Sequence, residues 1–185
     1  QGYVEYFKRM AVPFLRIDFL SWYEDGMDAN IGRVNAAHGR ENYVTALHWM
    51  NEAAGDAMEV SLVMPHLFEN AAAELANGDM VRINADADKG GWERLSGGRQ
   101  DWQNAWPNWF NPFCGFTGWS HRSGRGQLIL DGDFLRAHTF ATDAERKTAV
   151  TLMTIAGSPI AIADLHSGIG PHGWVFTEPE VLDLH

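Results

Sequence analysis

Two aspartates, Asp18 and Asp86, each stand at the end of a short apolar run. The runs cover residues 12–18 and 80–86, and both have the composition of buried strands. A carboxylate in such a place costs stability unless it is paired or faces a solvated cleft. Two strand-end carboxylates therefore indicate acid/base or nucleophilic chemistry, with a turn or helix cap as the alternative for each of them.

Cleavage of a glycosidic bond is a reaction that uses such a pair. Retaining enzymes hold their two carboxyl groups about 5 to 5.5 Å apart, and inverting enzymes hold them farther apart to admit a water molecule. Strands two places apart in a sheet have backbones roughly 10 Å apart, and inward-pointing side chains shorten this to either geometry. The sequence therefore leaves the stereochemistry open.

The elements that must position these aspartates alternate between helix and strand periodicity. We predict strands near residues 13–19, 58–64, 79–86, 127–130 and 160–163. We predict helices over residues 3–10, around 43–50 up to Gly55, over 67–76, from a capping box at Thr142 to Gly157, and from Glu178. Residues 90–125 predict partial helix and a long loop, which contains Trp92, Trp102, Trp106, Trp109 and Trp119.

Strands that alternate with helices predict an α/β fold with a parallel sheet. A doubly wound sheet would need a phosphate-binding loop or a switch-point motif, and neither glycine-rich segment has that spacing. A (β/α)8 TIM barrel places its catalytic residues at the carboxyl ends of its strands, as expected for Asp18, Asp86, Asp131 and Asp164. We therefore predict that residues 1–185 are one partial barrel domain, strands 4 to 8, with no second domain visible.

A complete barrel takes roughly 250 residues, so three more strand-helix units are expected before Gln1. Without that N-terminal part of the barrel, two strand edges would lack partners, and we expect the segment to be unstable alone.

The composition of the chain limits the classes of partner that it is expected to bind. The chain has 185 residues, 45% of them hydrophobic, and a formal net charge of −10. An acidic chain without a basic stripe is not expected to bind nucleic acid or anionic membrane surfaces, and no apolar run is long enough to span a bilayer.

The single cysteine, Cys114, excludes an internal disulfide and a multi-thiolate zinc site, and we expect its thiol to be buried or unreactive. The eight histidines lack metal-binding spacing and are expected at the surface or in caps, so we predict no metal and no cofactor.

Four sequence blocks resemble those of one enzyme family in their order and spacing. They are Phe14-Leu15-Arg16-Ile17-Asp18, Arg82-Ile83-Asn84-Ala85-Asp86-Ala87-Asp88 followed by Trp92, Asp131-Gly132-Asp133-Phe134-Leu135, and the stretch from Asp143 to Ile160. With them the chain resembles the α-galactosidases of glycoside hydrolase family 27, and more loosely the related family 36. The resemblance implies a retaining exo-glycosidase that acts on an oligosaccharide or glycoside, with Asp18 as nucleophile and Asp86 as acid/base.

The resemblance also implies a substrate-binding set and an exported location, secreted or periplasmic. Arg82 precedes Asp86 by four residues, which is the family's spacing and favours Asp86 over Asp88 as the acid. The expected substrate-binding residues are Arg16, Trp22, His66, Arg82, Asp131 and Asp133.

Two departures leave the sugar open. Val63 stands where the family has an acid that recognises the sugar, and Phe19 follows the nucleophile where cysteines are common nearby. A related sugar such as β-L-arabinopyranoside is therefore an alternative to galactoside. A carbohydrate-binding or scaffold relative without activity is the alternative from another class. An aldolase-like barrel is disfavoured, because the chain's three lysines fall on predicted helices or loops.

Overall fold

The computed structural model describes residues 2–28, 32–33, 35–84, 86–87, 90–97 and 111–184. Among these residues the chain forms two compact units. The first comprises residues up to Arg82 together with 122–129, and the second comprises residues 83–97, 111–121 and 130–184. The predictions made for Asp88, Trp102, Trp106 and Trp109 concern residues outside the described ranges.

The helices of the described ranges follow the predicted alternation. They are α1 (Gly2–Arg9), α2 (Leu20–Asp25), α3 (Gly39–Ala54), α4 (Phe68–Asn77), α5 (Gly91–Ser96), α6 (Pro112–Trp119), α7 (Asp143–Ala156), α8 (His166–Ile169) and α9 (Pro179–Leu182). Short 3-10 turns cover Gly55–Ala57, Ser120–Arg122, Ala137–Thr139 and Gly170–Phe176.

Eight short strands complete the described part of the chain. They are β1 (Phe14–Ile17), β2 (Met27–Asp28), β3 (Gly32–Arg33), β4 (Glu59–Leu62), β5 (Met80–Arg82), β6 (Ile129–Asp131), β7 (Phe134–Leu135) and β8 (Ala161–Ile162). The main sheet has the order β1-β4-β5-β6, and β1 and β5 both pair with β4 in parallel. The register places Phe14 opposite Glu59 and Ile17 opposite Leu62. This is the mixed α/β architecture with a parallel sheet that the sequence predicts.

The first unit packs its helices against this sheet through apolar side chains. Tyr43 and Leu47 of α3 are fully buried, as are Val60 and Leu62 of β4. The 3.6-residue period of α3 places Tyr43 and Leu47 on one face, and burying such side chains contributes about 1.5 to 3 kcal/mol each.

The second unit has a core of its own around α7. Ala149, Val150 and Met153 lie on the buried face of that helix, and Leu130 and Ile83 are buried within the same unit. The predicted capping box begins this helix: the Thr142 side chain accepts a hydrogen bond from the Glu145 N–H at 3.2 Å, and the Glu145 carboxylate accepts one from the Thr142 N–H at 3.2 Å. Gly157, in the left-handed conformation, ends it.

The fifth predicted strand differs from the expectation. β8 pairs in parallel with β7 in a separate two-stranded sheet instead of joining the main sheet. Gly132 and Asp133, the latter with φ of 66°, lie between β6 and β7. The predicted single sheet of five strands is therefore wrong in this detail.

The start of α4 also differs. Glu69, Asn70 and Ala71 have left-handed φ values between 54° and 60°, so the regular right-handed part of α4 begins after them. Each such residue costs roughly 1 to 2 kcal/mol. Burial of the Leu67 and Ala71 side chains offsets part of that cost.

The capping box of α7 yields a stability prediction. Replacing Thr142 by alanine removes one acceptor for the orphan amides of the first turn, so Thr142→Ala is expected to lower the free energy of unfolding by about 1 kcal/mol. Urea denaturation followed by circular dichroism measures this. Thr148→Ala is the matched control, because Thr148 is exposed on the same helix, and we expect a change within about 0.5 kcal/mol. Equal effects of the two substitutions would contradict the capping role.

Candidate active site

Asp18 follows β1 directly, and backbone hydrogen bonds hold the chain on both sides of it. The Ile17 carbonyl accepts a hydrogen bond from the Val63 N–H at 2.8 Å, which extends the parallel pairing to the last residue before Asp18. After Asp18, the N–H groups of Leu20 and Ser21 donate to the carbonyls of Val63 and Met64 at 3.4 and 2.8 Å. The strand end that carries Asp18 is thus tied twice to the segment that follows β4.

The Asp18 side chain is exposed, and its Oδ1 accepts a hydrogen bond from the Phe19 N–H at 2.6 Å. A helix-capping aspartate would instead accept from the amide of the second or third residue of the helix. The residue at the cap position of α2 is Phe19, whose side chain makes no capping hydrogen bond. The structure therefore does not give Asp18 the ordinary capping geometry.

Four other predicted site residues belong to the same unit, and three of them are described first. Arg16 is exposed on β1 and lies opposite Ser61 in the register. Trp22 is partly buried on α2, with its ring 4.3 Å from that of Phe19. Arg82, at the end of β5, is buried.

His66 corrects one expectation for the histidines. Its side chain is only 5% exposed, so it is neither a surface nor a capping residue. Its Nε2 lies 2.8 Å from Asp25 Oδ2 at the end of α2, and its ring stacks on Phe68 at 4.9 Å. An acidic partner and an aromatic face together make this burial tolerable for an imidazole.

This unit also contains a buried charge network that the sequence did not predict. Glu24 of α2 and Glu74 of α4 are buried carboxylates that share one guanidinium, that of Arg40 on α3, at 3.4 and 3.5 Å. The Tyr43 hydroxyl donates to Glu74 Oε1 at 2.6 Å. A sequence signal existed only for Glu24, which follows Leu20 by four residues and therefore lies on the same face of α2 as that buried leucine. Glu74 had no such signal, because Ala71 lies before the regular part of α4.

Burial sets the proton affinities of this network. Burial raises the pKa of the Glu24 carboxyl above its ordinary value, and the positive charge of Arg40 offsets this only in part. Burial, and then the neighbouring Glu74 carboxylate, raise the pKa of the Tyr43 hydroxyl strongly. Two acids against one arginine thus favour a network in which Glu24 keeps its proton to higher pH.

The second unit contains Asp86, four residues beyond the end of β5, with its side chain exposed. The next residue, Ala87, donates its N–H to Asp133 Oδ2 at 2.9 Å. Asp133 in turn donates its own N–H to Asp131 Oδ1 at 2.8 Å, and the Asp131 carbonyl accepts from the Ile83 N–H at 3.0 Å. The turn from Asp131 to Asp133 therefore holds the segment that carries Asp86.

The carboxyl groups of Asp131 and Asp133 are buried. The sequence predicts that both contact sugar hydroxyls, and the structure adds backbone amides as their partners. A side chain at Gly132, between them, would crowd its neighbours, because a Cβ there would lie 2.5 Å from Met153 Sδ and 2.7 Å from the Phe116 ring. Its N–H donates to the Ser158 hydroxyl at 3.0 Å, so the turn is also attached to the end of α7.

Asp164, the last strand-end aspartate of the sequence analysis, binds the turn after β7. Its carboxylate accepts hydrogen bonds from the Ala137 and His138 N–H groups at 2.7 and 3.0 Å, and His138 Nδ1 lies 2.5 Å from its Oδ1. Burial alone would raise the pKa of Asp164, but the hydrogen bonds from His138 and Ala137 lower it below its ordinary value. Asp164 is therefore an ionised anchor within the second unit.

Within the described ranges, no group of three or more histidine, cysteine, aspartate or glutamate side chains has the arrangement to hold a metal ion. Cys114 is exposed on α6, so of the two expected states, buried or unreactive, the buried one is wrong. In the same part of the chain, no helix has the length and hydropathy needed to cross a membrane.

Comparison with known proteins shows which class of protein the chain is related to. No model of a known protein family matches the chain. Comparison with individual proteins shows instead that the chain is homologous to a segment of a glycoside hydrolase.

That relative is the isomalto-dextranase of Arthrobacter globiformis, which is 74% identical over all 185 residues. A solved structure, Arthrobacter globiformis T6 isomalto-dextranase complexed with panose, matches 99% of the chain with a TM-score of 0.92 and 72% identity. The chain spans 29% of the length of the curated relative and 31% of the chain in that structure.

The buried network yields a prediction on pH. The raised pKa of Glu24 means that the folded state binds this proton more tightly than the unfolded state, so its contribution favours folding at low pH and is lost as pH rises toward the folded pKa. We expect Glu24→Gln to become progressively more stable relative to the wild type between pH 4 and pH 8, as measured by urea denaturation. Glu52→Gln, which changes an exposed glutamate on α3, serves as the control without this trend. A pH-independent difference for Glu24→Gln would contradict the assignment.

Proposed function

We propose that the protein carrying this chain is a retaining glycoside hydrolase that acts on an α-1,6-linked glucan of the dextran type. The observation that carries the proposal is the 74% identity to isomalto-dextranase over the whole chain. The exposed carboxylate of Asp18 on a doubly tied strand end supports it, because a nucleophile must be both accessible and fixed in place.

The proposed mechanism has two displacement steps at the anomeric carbon. An Asp18 carboxylate oxygen attacks that carbon while Asp86 protonates the departing glycosidic oxygen, which breaks the glycosidic bond and leaves a glycosyl ester on Asp18. Asp86, now ionised, then takes a proton from water as the water oxygen attacks the same carbon. The ester bond breaks, Asp18 is released as a carboxylate, and the sugar keeps its anomeric configuration.

The chain's own residues prepare both steps. The Phe19 N–H holds one Asp18 oxygen at 2.6 Å, which orients the carboxylate. Asp133 holds the amide of Ala87, next to Asp86. Arg16, Trp22, His66, Arg82, Asp131 and Asp133 are the residues we propose for binding the oligosaccharide.

The proposed sugar is glucose, in place of the galactose suggested by the resemblance to α-galactosidases. The two sugars differ in the configuration of the hydroxyl at C4. Val63, which stands where the resemblance expects an acid that recognises the sugar, is fully buried and apolar. It therefore offers no polar contact to a hydroxyl group, which favours a sugar other than galactose.

The sheet order supports the (β/α)8 barrel as the proposed architecture of the complete domain. The strands of the main sheet follow one another in chain order, β1-β4-β5-β6. A doubly wound sheet reverses its order at a switch point, and a barrel does not. We propose that this chain supplies strands 4 to 8 of the barrel and that other parts of the protein supply the remaining strands.

Substitution of the two aspartates tests the proposal in the protein as it is naturally made. We expect Asp18→Asn to lower kcat on dextran by roughly 10⁴-fold or more, because no carboxylate remains to form the ester. We expect Asp86→Asn to lower it by about 10² to 10⁴-fold. Azide should restore turnover of an aryl glucoside with a good leaving group in the Asp86→Asn variant, since that substrate needs no acid.

Asp56→Asn, which changes an exposed aspartate far along the chain from either residue, is the matched control and should keep wild-type kcat. Full activity of Asp18→Asn would overturn the nucleophile assignment. Turnover of aryl α-galactosides but not of dextran would overturn the choice of sugar. Binding of dextran without turnover by the wild type would favour a carbohydrate-binding relative that lacks activity.

A further inference from the structure

Phe19 combines a costly backbone conformation with an incompletely buried side chain. Its φ of 59° and ψ of 31° lie in the left-handed region, which is unfavourable for a residue with a Cβ and which glycine adopts readily. Packing does not explain why an aromatic residue stands there, because 49% of its side chain surface is exposed. Strained residues that the local packing does not justify occur preferentially at functional sites.

The surrounding chain fixes both the backbone and the ring of Phe19. Its N–H donates to Asp18 at 2.6 Å and its carbonyl accepts from the Tyr23 N–H at 3.1 Å. The Trp22 ring backs the Phe19 ring with a centroid distance of 4.3 Å and an angle of 34° between the planes. Phe19 therefore presents a fixed aromatic surface, one residue away from Asp18.

A pyranose ring has an apolar side formed by its C–H groups, and such a side packs on aromatic rings. We infer that Phe19, supported by Trp22, is the stacking surface for a glucosyl ring next to the bond that is cleaved. This inference rests on the proposed function and adds a residue that determines how the glucan is bound. The backbone strain is retained because glycine, the residue that relieves it, would remove the stacking surface.

The test compares Phe19→Leu, which keeps an apolar side chain without an aromatic face, with Phe19→Tyr, which keeps the face. In the natural protein, Phe19→Leu should raise KM for an α-1,6-linked glucose oligosaccharide about 3- to 10-fold, with a smaller change in kcat. In an Asp18→Asn background, calorimetric titration with the same oligosaccharide should show the same loss in Kd. Phe19→Tyr should stay within about twofold of the parent in both measurements, and all variants should keep the parent Tm.

Trp49→Leu is the matched control, because Trp49 is an aromatic residue on α3 with a similar exposure of 55%. It should change neither KM nor Kd. Parent-like KM and Kd in Phe19→Leu would overturn the inference. Equal losses of Tm and of binding in Phe19→Leu and Phe19→Tyr would also overturn it, in favour of a packing role. If the wild type hydrolyses no glucan, the hydrolase proposal fails, whereas the Kd comparison still decides the stacking role.

Discussion

The parallel pairing of β1 with β4 is the constraint on which the rest of the proposed site depends. Its register, from Phe14 opposite Glu59 to Ile17 opposite Leu62, determines where the strand that precedes Asp18 ends. Parallel pairing continues past that end through the Val63 amide and returns through the amides of α2. A shift of one residue in this register would turn every side chain of β1 to the opposite face and move Asp18 with it. The pairing of the sheet, more than the contacts of the Asp18 side chain, therefore determines where this carboxylate lies.

Helix α2 follows that strand end and is linked by charged side chains to the segments packed around it. Glu24 and Asp25, at its end, reach Arg40 of α3 and His66 of the segment after β4. Burying two carboxylates around one guanidinium is not an efficient source of stability, since apolar residues of similar volume often stabilise as much or more. A charge pair instead restricts the orientation of the helices that carry it, because it tolerates fewer alternative packings than apolar side chains do. We interpret the network as fixing how α2 leaves the strand end that bears Asp18.

The predictable parts of the fold are those in which local chemistry and burial agree. The capping box at Thr142 and the glycine at Gly157 define α7 from sequence alone, and β1 lies inside its predicted range. The same local logic fails at the start of α4, where a stretch rich in alanine and glutamate predicts regular helix but Glu69, Asn70 and Ala71 have left-handed φ values. The end of β6 near Asp131 agrees with the predicted strand, but β7 and its pairing with β8 were not predicted, because a two-residue strand gives no periodicity in the sequence.

The candidate site follows the same division. Asp18 and Asp86 were proposed from the sequence because a carboxylate at the end of an apolar run is costly unless it is paired or solvated. Glu24 and Glu74 were not identified, because an acidic residue on a helix is usually solvent-exposed, and its burial depends on which helices pack against it. The role of Phe19 needed the structure as well, since neither its strained φ nor its exposed ring can be inferred from its neighbours in the sequence.

The central claim is that Asp18 forms a covalent bond to the sugar, and trapping that bond tests it most directly. A fluorinated glucosyl substrate that forms the ester quickly and hydrolyses it slowly would be incubated with the natural protein, which would then be digested and analysed by mass spectrometry. We expect the mass of one glycosyl group on the peptide that contains Asp18, and no such mass in Asp18→Asn. A glycosyl group on a different carboxylate, or steady turnover of the substrate with no labelled peptide, would contradict it.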